Sequence, residues 1–210
     1  MNQSDITSPE LGAVEVDGIS RSSFILRGAL AAGAAYGATA VAPFVSSALA
    51  ASGTSDVDIL NFALTLEYLE TDFYKVKSKS VHLSGAAKTL ASSIGDEEAE
   101  HVAALMKAIT GAGGTPVKQP KFAFPVTDQK SFLKLAYVLE NTGVGAYNGA
   151  APSLSNSALL AAAGSIVQVE ARHAASIALL TGGKITPDGA FDKPLNMKQV
   201  LAKAGPLIKK

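Results

Sequence analysis

The sequence predicts an all-α protein, a four-helix bundle with a long crossover between its second and third helices and a short C-terminal helix. Three observations predict this fold. After residue 53, apolar side chains recur three and four positions apart in four long segments, the period of helices that bury one face. No segment alternates polar and apolar residues for long enough to indicate a β-sheet. Two of the three connections are short, which suits antiparallel neighbours in a bundle.

The helix bounds follow from capping and breaking residues. Ser55 is a plausible N-cap with Asp58 three positions later, so the first helix is predicted to begin there and to reach about Lys77. The crossover reads "GTPVKQPKFAFPVTD", and its Phe122 and Phe124 are expected to tuck into the bundle while the Pro-rich chain stays extended. The other helices are predicted over about 84–110, 128–148, 156–180 and 196–205.

Residues 1–50 are predicted to be an export signal peptide. Arg21 and Arg27 flank "RSSFILRG", an Ala-rich apolar stretch follows, and "ALA" at 48–50 fits a small-x-small cleavage site. The segment resembles a twin-arginine signal in which Ser22 replaces the second arginine, so the export route stays open. An uncleaved N-terminal membrane anchor is the alternative, because the apolar stretch is nearly long enough to span a bilayer.

The predicted organisation is a signal or anchor over 1–50, a bundle over 54–183 and a C-terminal extension with a short helix over 184–210. We expect the protein in the periplasm, the cell envelope or the extracellular space. The chain carries 18 basic and 18 acidic residues, so no basic excess suggests nucleic acid as a partner. Cysteine is absent, which excludes disulfides and thiolate metal sites.

Charged residues fall on the apolar seams of all four long helices. The second and fourth helices each place a Glu-x-x-His pair there, and the first and third each place a Glu followed by a Tyr two turns later. The seam residues concerned are Glu67 and Tyr74, Glu98 and His101, Glu140 and Tyr147, and Glu170 and His173. Glu67 lies 31 residues before Glu98 and Glu140 lies 30 before Glu170, so the two halves of the chain form an internal repeat.

This arrangement predicts a metal centre. An isolated carboxylate costs several kcal/mol to bury, so four facing carboxylates persist only if protons or cations neutralise them. Two divalent metal ions would cancel four carboxylate charges, and two neutral histidines would complete the ligand set. Carboxylate oxygen with imidazole suits iron or manganese and also admits zinc. The predicted metal ligands are Glu67, Glu98, His101, Glu140, Glu170 and His173.

Several neighbouring residues leave alternatives open. Glu70 lies one turn after Glu67 and is either an extra ligand or, as we favour, a residue that supports the ligands or faces solvent. Glu97 and Glu100 are expected to face solvent, and His82 is expected in a solvated loop.

The two seam tyrosines also admit two interpretations. Tyr74 and Tyr147 are either core aromatics or residues that hydrogen-bond a ligand or carry an electron near the metals.

The segments "LNFALTLEYLETDFY", "DEEAEHVAAL", "LAYVLENTGVGAYNGAAP" and "SIVQVEARHAAS" resemble the four helices of the ferritin-like superfamily. The resemblance covers about residues 54–208 and is to the exported ferritin-like domain family, which is related to desiccation- and stress-related proteins. It implies the same six ligands, and Tyr74 matches the tyrosine that follows the first ligand in ferritins and bacterioferritins. No Met accompanies Glu98 as in haem-binding bacterioferritins, so haem is not expected.

The resemblance implies a di-metal protein, with iron favoured over manganese, that oxidises Fe(II) with dioxygen or peroxide in a protective role. A manganese-catalase-like enzyme uses a similar ligand set and is the second hypothesis. The third is a non-enzymatic desiccation- or stress-related bundle in which the metals only stabilise the fold. The expected partners are metal ions and dioxygen or peroxide, with a homo-oligomer left open and a membrane only if the N-terminal segment is uncleaved.

Overall fold

The computed structural model describes residues 55–209, so the predicted export signal lies outside the described residues. Within 55–209 the chain is helical and contains no β-sheet, which confirms the all-α prediction; an isolated antiparallel bridge joins Phe122 to Ile208. None of the helices in this range combines the length and the apolar character that crossing a bilayer requires. The helices are α1 (Asp56–Lys75), α2 (Gly85–Gly111), α3 (Gln129–Ala150), α4 (Ser157–Thr181) and α5 (Met197–Ala204), with 3-10 turns at Lys77–Ser80, Ala151–Ser153 and Gly205–Leu207.

The helix ends follow the capping residues. Ser55 and Asp58 form the predicted capping box at the start of α1, and Asp128 begins α3 in the same way. Helix α4 ends at Gly182, whose φ of 69° is left-handed and therefore suits glycine. The predicted end of α1 is wrong by two residues, because the α-helix stops at Lys75 and a 3-10 turn follows it.

Each half of the internal repeat forms a helical hairpin. Helix α1 packs chiefly against α2, and α3 packs chiefly against α4. Gly95 allows the first hairpin to close, because a Cβ atom there would lie 2.9 Å from the Cβ atom of Tyr74. The helix continues through Gly95 without interruption.

The bundle core consists of two apolar clusters with a layer of charged residues between them. On α2 the chain passes from Ile94 in the first cluster through the buried Glu98 to Leu105 in the second. On α4 the order along the chain is reversed, from the second cluster through Glu170 to Ile177 in the first. The charged layer is thus enclosed at both ends by closely packed side chains.

The crossover and the C-terminal segment brace the outside of the bundle. Phe122 and Phe124 of the crossover pack against the first apolar cluster, as predicted. The amide of Ala123 donates to the carbonyl of Leu207 at 2.9 Å, which ties the crossover to the C-terminus. The amide of Leu195 donates to the Gly145 carbonyl of α3 at 2.8 Å, so the extension after α4 returns to the bundle.

Candidate metal centre

The structure brings the six predicted ligands together in the charged layer. All four glutamates are fully buried and His173 is 4% exposed, whereas the His101 side chain is 12% exposed. Helices α1 and α3 supply one of the six residues each, and α2 and α4 supply two each. The seam positions inferred from periodicity are the positions that face inward.

The donor atoms divide into two groups, each with its atoms within 4.8 Å of one another. The groups are Glu67, Glu98, His101 and Glu170, and Glu98, Glu140, Glu170 and His173. Glu98 and Glu170 belong to both groups and are therefore shared between them. Glu67 and Glu140 belong to one group each.

His101 directs one ring nitrogen at three carboxylates. Its Nδ1 atom lies 3.3 Å from Glu67 Oε2, 3.1 Å from Glu98 Oε2 and 3.2 Å from Glu170 Oε1. A ring nitrogen carries at most one proton, so it cannot donate to all three oxygens. Only the contact with Glu98 has hydrogen-bond geometry.

His173 is held from both sides. Its Nδ1 atom lies 2.9 Å from Glu98 Oε1 and 3.2 Å from Glu140 Oε2, inside the second donor group. Its Nε2 atom lies 2.5 Å from an oxygen of Glu97 on α2. Each ring nitrogen of His173 therefore faces a carboxylate.

Glu97 is a site residue that the sequence interpretation missed. Its side chain is 46% exposed, so the expectation that it faces solvent is only half right, because its carboxylate contacts His173. Glu100, one turn further on, is exposed as expected. Glu97 lies one position off the seam and reaches His173 because α2 lies next to α4. Periodicity within one helix does not specify which helices are neighbours.

The donor set fits a pair of metal ions. Four buried carboxylate oxygens lack a hydrogen-bond partner: Glu67 Oε2, Glu98 Oε1 and both oxygens of Glu170. Such orphaned atoms are rare in folded proteins and call for an unseen partner. Neighbouring ligands about 2.1 Å from one octahedral ion are about 3 Å apart, which matches the 2.9–3.3 Å between the ring nitrogens and the carboxylate oxygens.

Two tyrosines cross from one hairpin to the other. The hydroxyl of Tyr74 on α1 donates to Glu140 Oε1 on α3, and the hydroxyl of Tyr147 on α3 donates to Glu67 Oε1 on α1. Both tyrosines are buried. They therefore hydrogen-bond predicted ligands while also packing in the core; their catalytic role stays a prediction.

Glu70 is buried beside the cluster, so the solvent-facing option for it is wrong. It is 3% exposed and lies outside both donor groups. Gly143, its counterpart in the repeat, makes room for Glu170, because a Cβ atom there would lie 2.7 Å from Glu170 Oε2; Glu70 Oε1, at 3.5 Å from that position, would be in ordinary van der Waals contact. Burial and the charges of Glu170 and Glu140 raise the pKa of Glu70 well above its usual value.

The cluster holds protons when no metal neutralises it. Burial opposes protonation of His101, but its carboxylate neighbours, Glu170 foremost, raise its pKa to about 12. In the same way Glu140 and Glu97 raise the pKa of His173 to about 9 against the effect of burial. Burial and the charge of Glu67 raise the pKa of Glu170 to about 8.

The centre is accessible from one side. A cleft of about 520 Å³ between α2 and α4 reaches both histidines, and Glu97 and Val169 line it. Its opening to the surface offers small ions or molecules a route to the His101 and His173 side of the charged layer.

The helices and this cluster define a class of protein: four-helix bundles with a carboxylate–histidine centre between facing helices. The ferritin-like domain family matches residues 55–183, and the chain belongs to that family. This confirms the resemblance to the ferritin-like superfamily, while the relation to desiccation- and stress-related proteins stays a prediction. No curated protein matches the chain.

Proposed function

We propose that this is an exported ferritin-like protein that binds two divalent metal ions, with iron the first choice and manganese the second. Its chemistry would be of the ferroxidase type or directed at peroxide, in a protective role related to stress or desiccation. The observation that carries the proposal is the pair of donor groups that share Glu98 and Glu170 and contain four buried oxygens without partners.

Charge balance supports two divalent ions. Four carboxylates enter the two groups, and two divalent ions cancel their charge once the histidines are neutral. Glu70 lies outside both donor groups, and burial and the neighbouring carboxylates raise its pKa well above its usual value, so it is not counted among the four ligand charges. Hard oxygen donors with one imidazole for each ion suit iron or manganese.

The protein residues would orient the ligands and exclude water. Two bound Fe(II) ions would supply one electron each, which with two protons reduce hydrogen peroxide to two water molecules. Tyr74 and Tyr147 hold one oxygen each of Glu140 and Glu67 and leave the second oxygen free for the donor group. The two apolar clusters close the charged layer at both ends. Peroxide or dioxygen would therefore enter through the cleft between α2 and α4.

Metal analysis tests the proposal directly. The full chain, expressed in cells supplied with iron and manganese and purified without chelators, is expected to carry about two metal ions per chain. Glu98→Gln removes one shared carboxylate and should lower the content to about one or none, whereas Glu100→Gln, an exposed change on the same helix, should leave it unchanged. A wild-type protein with well under one ion per chain would overturn metal binding altogether, and one with a single ion per chain would overturn the second metal position.

Turnover assays then separate the candidate activities. Uptake of dioxygen or consumption of peroxide coupled to Fe(II) oxidation supports the ferroxidase-type proposal. Oxygen release from peroxide by the manganese form, absent from the iron form, assigns manganese-catalase-like activity instead. Metal binding that raises the Tm without any turnover assigns the non-enzymatic function.

Export is proposed from residues 1–50 alone and needs its own test. Fractionation of the producing cells is expected to place the protein in the periplasm, the envelope or the medium. Mass spectrometry is expected to show a chain that begins after Ala50. An intact N-terminus in the membrane fraction would indicate the anchor, and an intact chain inside the cell would overturn export.

A further inference from the structure

The two halves of the chain supply matching ligands but unequal surroundings. The segment "EEAEH" at 97–101 of α2 corresponds to "VEARH" at 169–173 of α4. The ligands coincide, since both segments end in Glu-x-x-His. The residue before each ligand glutamate differs, because Glu97 on α2 is replaced by Val169 on α4.

Glu97 gives His173 a carboxylate behind the ring. The Nε2 atom of His173 lies 2.5 Å from Glu97, while its Nδ1 atom faces Glu98 and Glu140 in the donor group. A carboxylate that accepts the distal N–H of a metal-binding histidine fixes the tautomer and the ring orientation and makes the ligand more basic. His173 is therefore set to present Nδ1 to an ion.

His101 has no such support. Its Nδ1 atom faces the first donor group, but among residues 55–209 no side chain or carbonyl forms a hydrogen bond with its Nε2 atom. Val169, the counterpart of Glu97, lines the same cleft and has no acceptor to offer. Arg172, which stands in α4 where α2 has Glu100, is exposed and donates to the carbonyl of Gln168 within its own helix.

We propose that the two metal positions are unequal, and that Glu97 makes the His173 position the one that fills first and holds its ion more tightly. The His101 position is then the weaker, exchangeable one, and it would take a hard divalent cation arriving through the cleft. Glu97 acts as a positioning residue through His173 and does not bind the ion itself. The inference rests on the proposed two-metal function and deepens it: the ion at the His173 position stays bound, and the ion at the His101 position exchanges with solution.

Titration of the metal-free protein with Mn²⁺ alone, followed by isothermal calorimetry, tests the inference. The wild type is expected to bind two ions in two steps. Glu97→Gln keeps the shape of the side chain but removes its charge, so it should weaken the first step about tenfold without a packing change, and Glu97→Ala should weaken it by up to about a hundredfold. Glu100→Gln removes the same charge from an exposed position one turn away and should stay within about threefold of the wild type.

Two further variants identify which position is the tight one. His101→Ala should remove the weak step and keep the tight one, whereas His173→Ala should remove the tight step. Val169→Glu places a carboxylate beside His101 and should bring the second step closer to the first. Circular dichroism checks that each variant is folded, and if His173→Ala is not, the comparison of Glu97→Gln with Glu100→Gln decides alone.

The outcomes separate the inference from the proposed function. A wild type that binds no Mn²⁺ or only one ion overturns the two-metal proposal. Two bound ions with a first step equally strong in the wild type and in both Glu97 variants overturn the inequality and leave the two-metal proposal standing. A first step that weakens as much in Glu100→Gln as in Glu97→Gln also overturns it, because the effect would then be one of general charge.

Discussion

The hydroxyl of Tyr74 on α1 hydrogen-bonds the carboxylate of Glu140 on α3, so the first hairpin fixes a predicted ligand that belongs to the second. Tyr147 and Glu67 make the reciprocal bond. The raised pKa of both tyrosines, caused by burial and by the neighbouring carboxylates, keeps the two hydroxyls protonated and able to donate.

Tyr74→Phe is expected to destabilise the metal-free protein by about 1–3 kcal/mol, because it leaves a buried carboxylate oxygen without its donor. Urea denaturation in the presence of a chelator measures the change. Tyr68→Phe is the control, since the exposed Tyr68 hydroxyl has a single hydrogen bond within residues 55–209, to the Met106 sulfur at 3.5 Å; the change should alter stability by less than about 0.5 kcal/mol. Equal losses in the two variants would contradict the importance of the bond to Glu140.

Gly143→Ala is expected to weaken metal binding about tenfold. The new methyl group would lie only 2.7 Å from Glu170 Oε2 and would therefore push the Glu170 carboxylate away. Calorimetric titration with Mn²⁺ measures the effect. Gly164→Ala on α4 has no neighbour within 4 Å and should leave affinity unchanged while stabilising the helix by about 0.5–1 kcal/mol. An unchanged Mn²⁺ affinity in Gly143→Ala would contradict the prediction, because it would show that the Glu170 carboxylate can shift without loss of metal binding.

Glu70→Gln and Glu67→Gln should behave oppositely although the two residues are one turn apart. Glu70 lies outside both donor groups, so replacing its carboxylate by an amide should leave about two metal ions bound. The neighbours of Glu67, His101 foremost, lower its pKa against the effect of burial. Glu67→Gln therefore removes a charged member of the His101 donor group and should cost the ion bound there. Elemental analysis of both variants decides, and equal losses would make Glu70 a ligand.

The metal-free protein is expected to lose stability as pH rises from about 6 to 9. The pKa of Glu170 is raised from 4.5 to about 8 and that of His173 from 6.5 to about 9. The folded state therefore binds more protons than the unfolded state in this range, and its stability falls as those protons leave. Thermal melts with a chelator should give a lower Tm at pH 9 than at pH 6, and a Tm that rises over this range would contradict the prediction.

Metal affinity should change with pH in the opposite direction. Ions must displace the protons held by Glu170 and His173, so affinity is expected to increase between about pH 6 and 9, with release of protons into the buffer. Calorimetry in two buffers of different ionisation enthalpy counts the released protons. Binding without proton release at pH 7 would show that the cluster is already ionised.

Periodicity within single helices was enough to place the buried glutamates and histidines on the inner face of the bundle. Glu170 and His173 fall on the same seam as Ile166 and Ile177, and the structure buries all four. The contact of Glu97 with His173 could not be predicted in this way, because it depends on which helices are neighbours and on a residue beside the seam.

Pairing between the halves was equally out of reach from the sequence. The spacing of Tyr74 and Tyr147 after the ligand glutamates indicated that they lie near the site, but it gave no means of knowing that each bonds the ligand of the opposite hairpin. The close approach of the Glu170 carboxylate to α3 depends on the missing side chain at Gly143, 27 residues away in the chain, and no local pattern encodes such a match.

Each donor group takes three members from one hairpin and a single member from the other, Glu170 for the first group and Glu98 for the second. Neither hairpin alone therefore contains all four residues of either donor group. Separating the hairpins would remove one shared carboxylate from each donor group at once, so metal binding and the packing of the hairpins are expected to be thermodynamically linked. A metal titration of this protein thus also measures how tightly its two halves hold together.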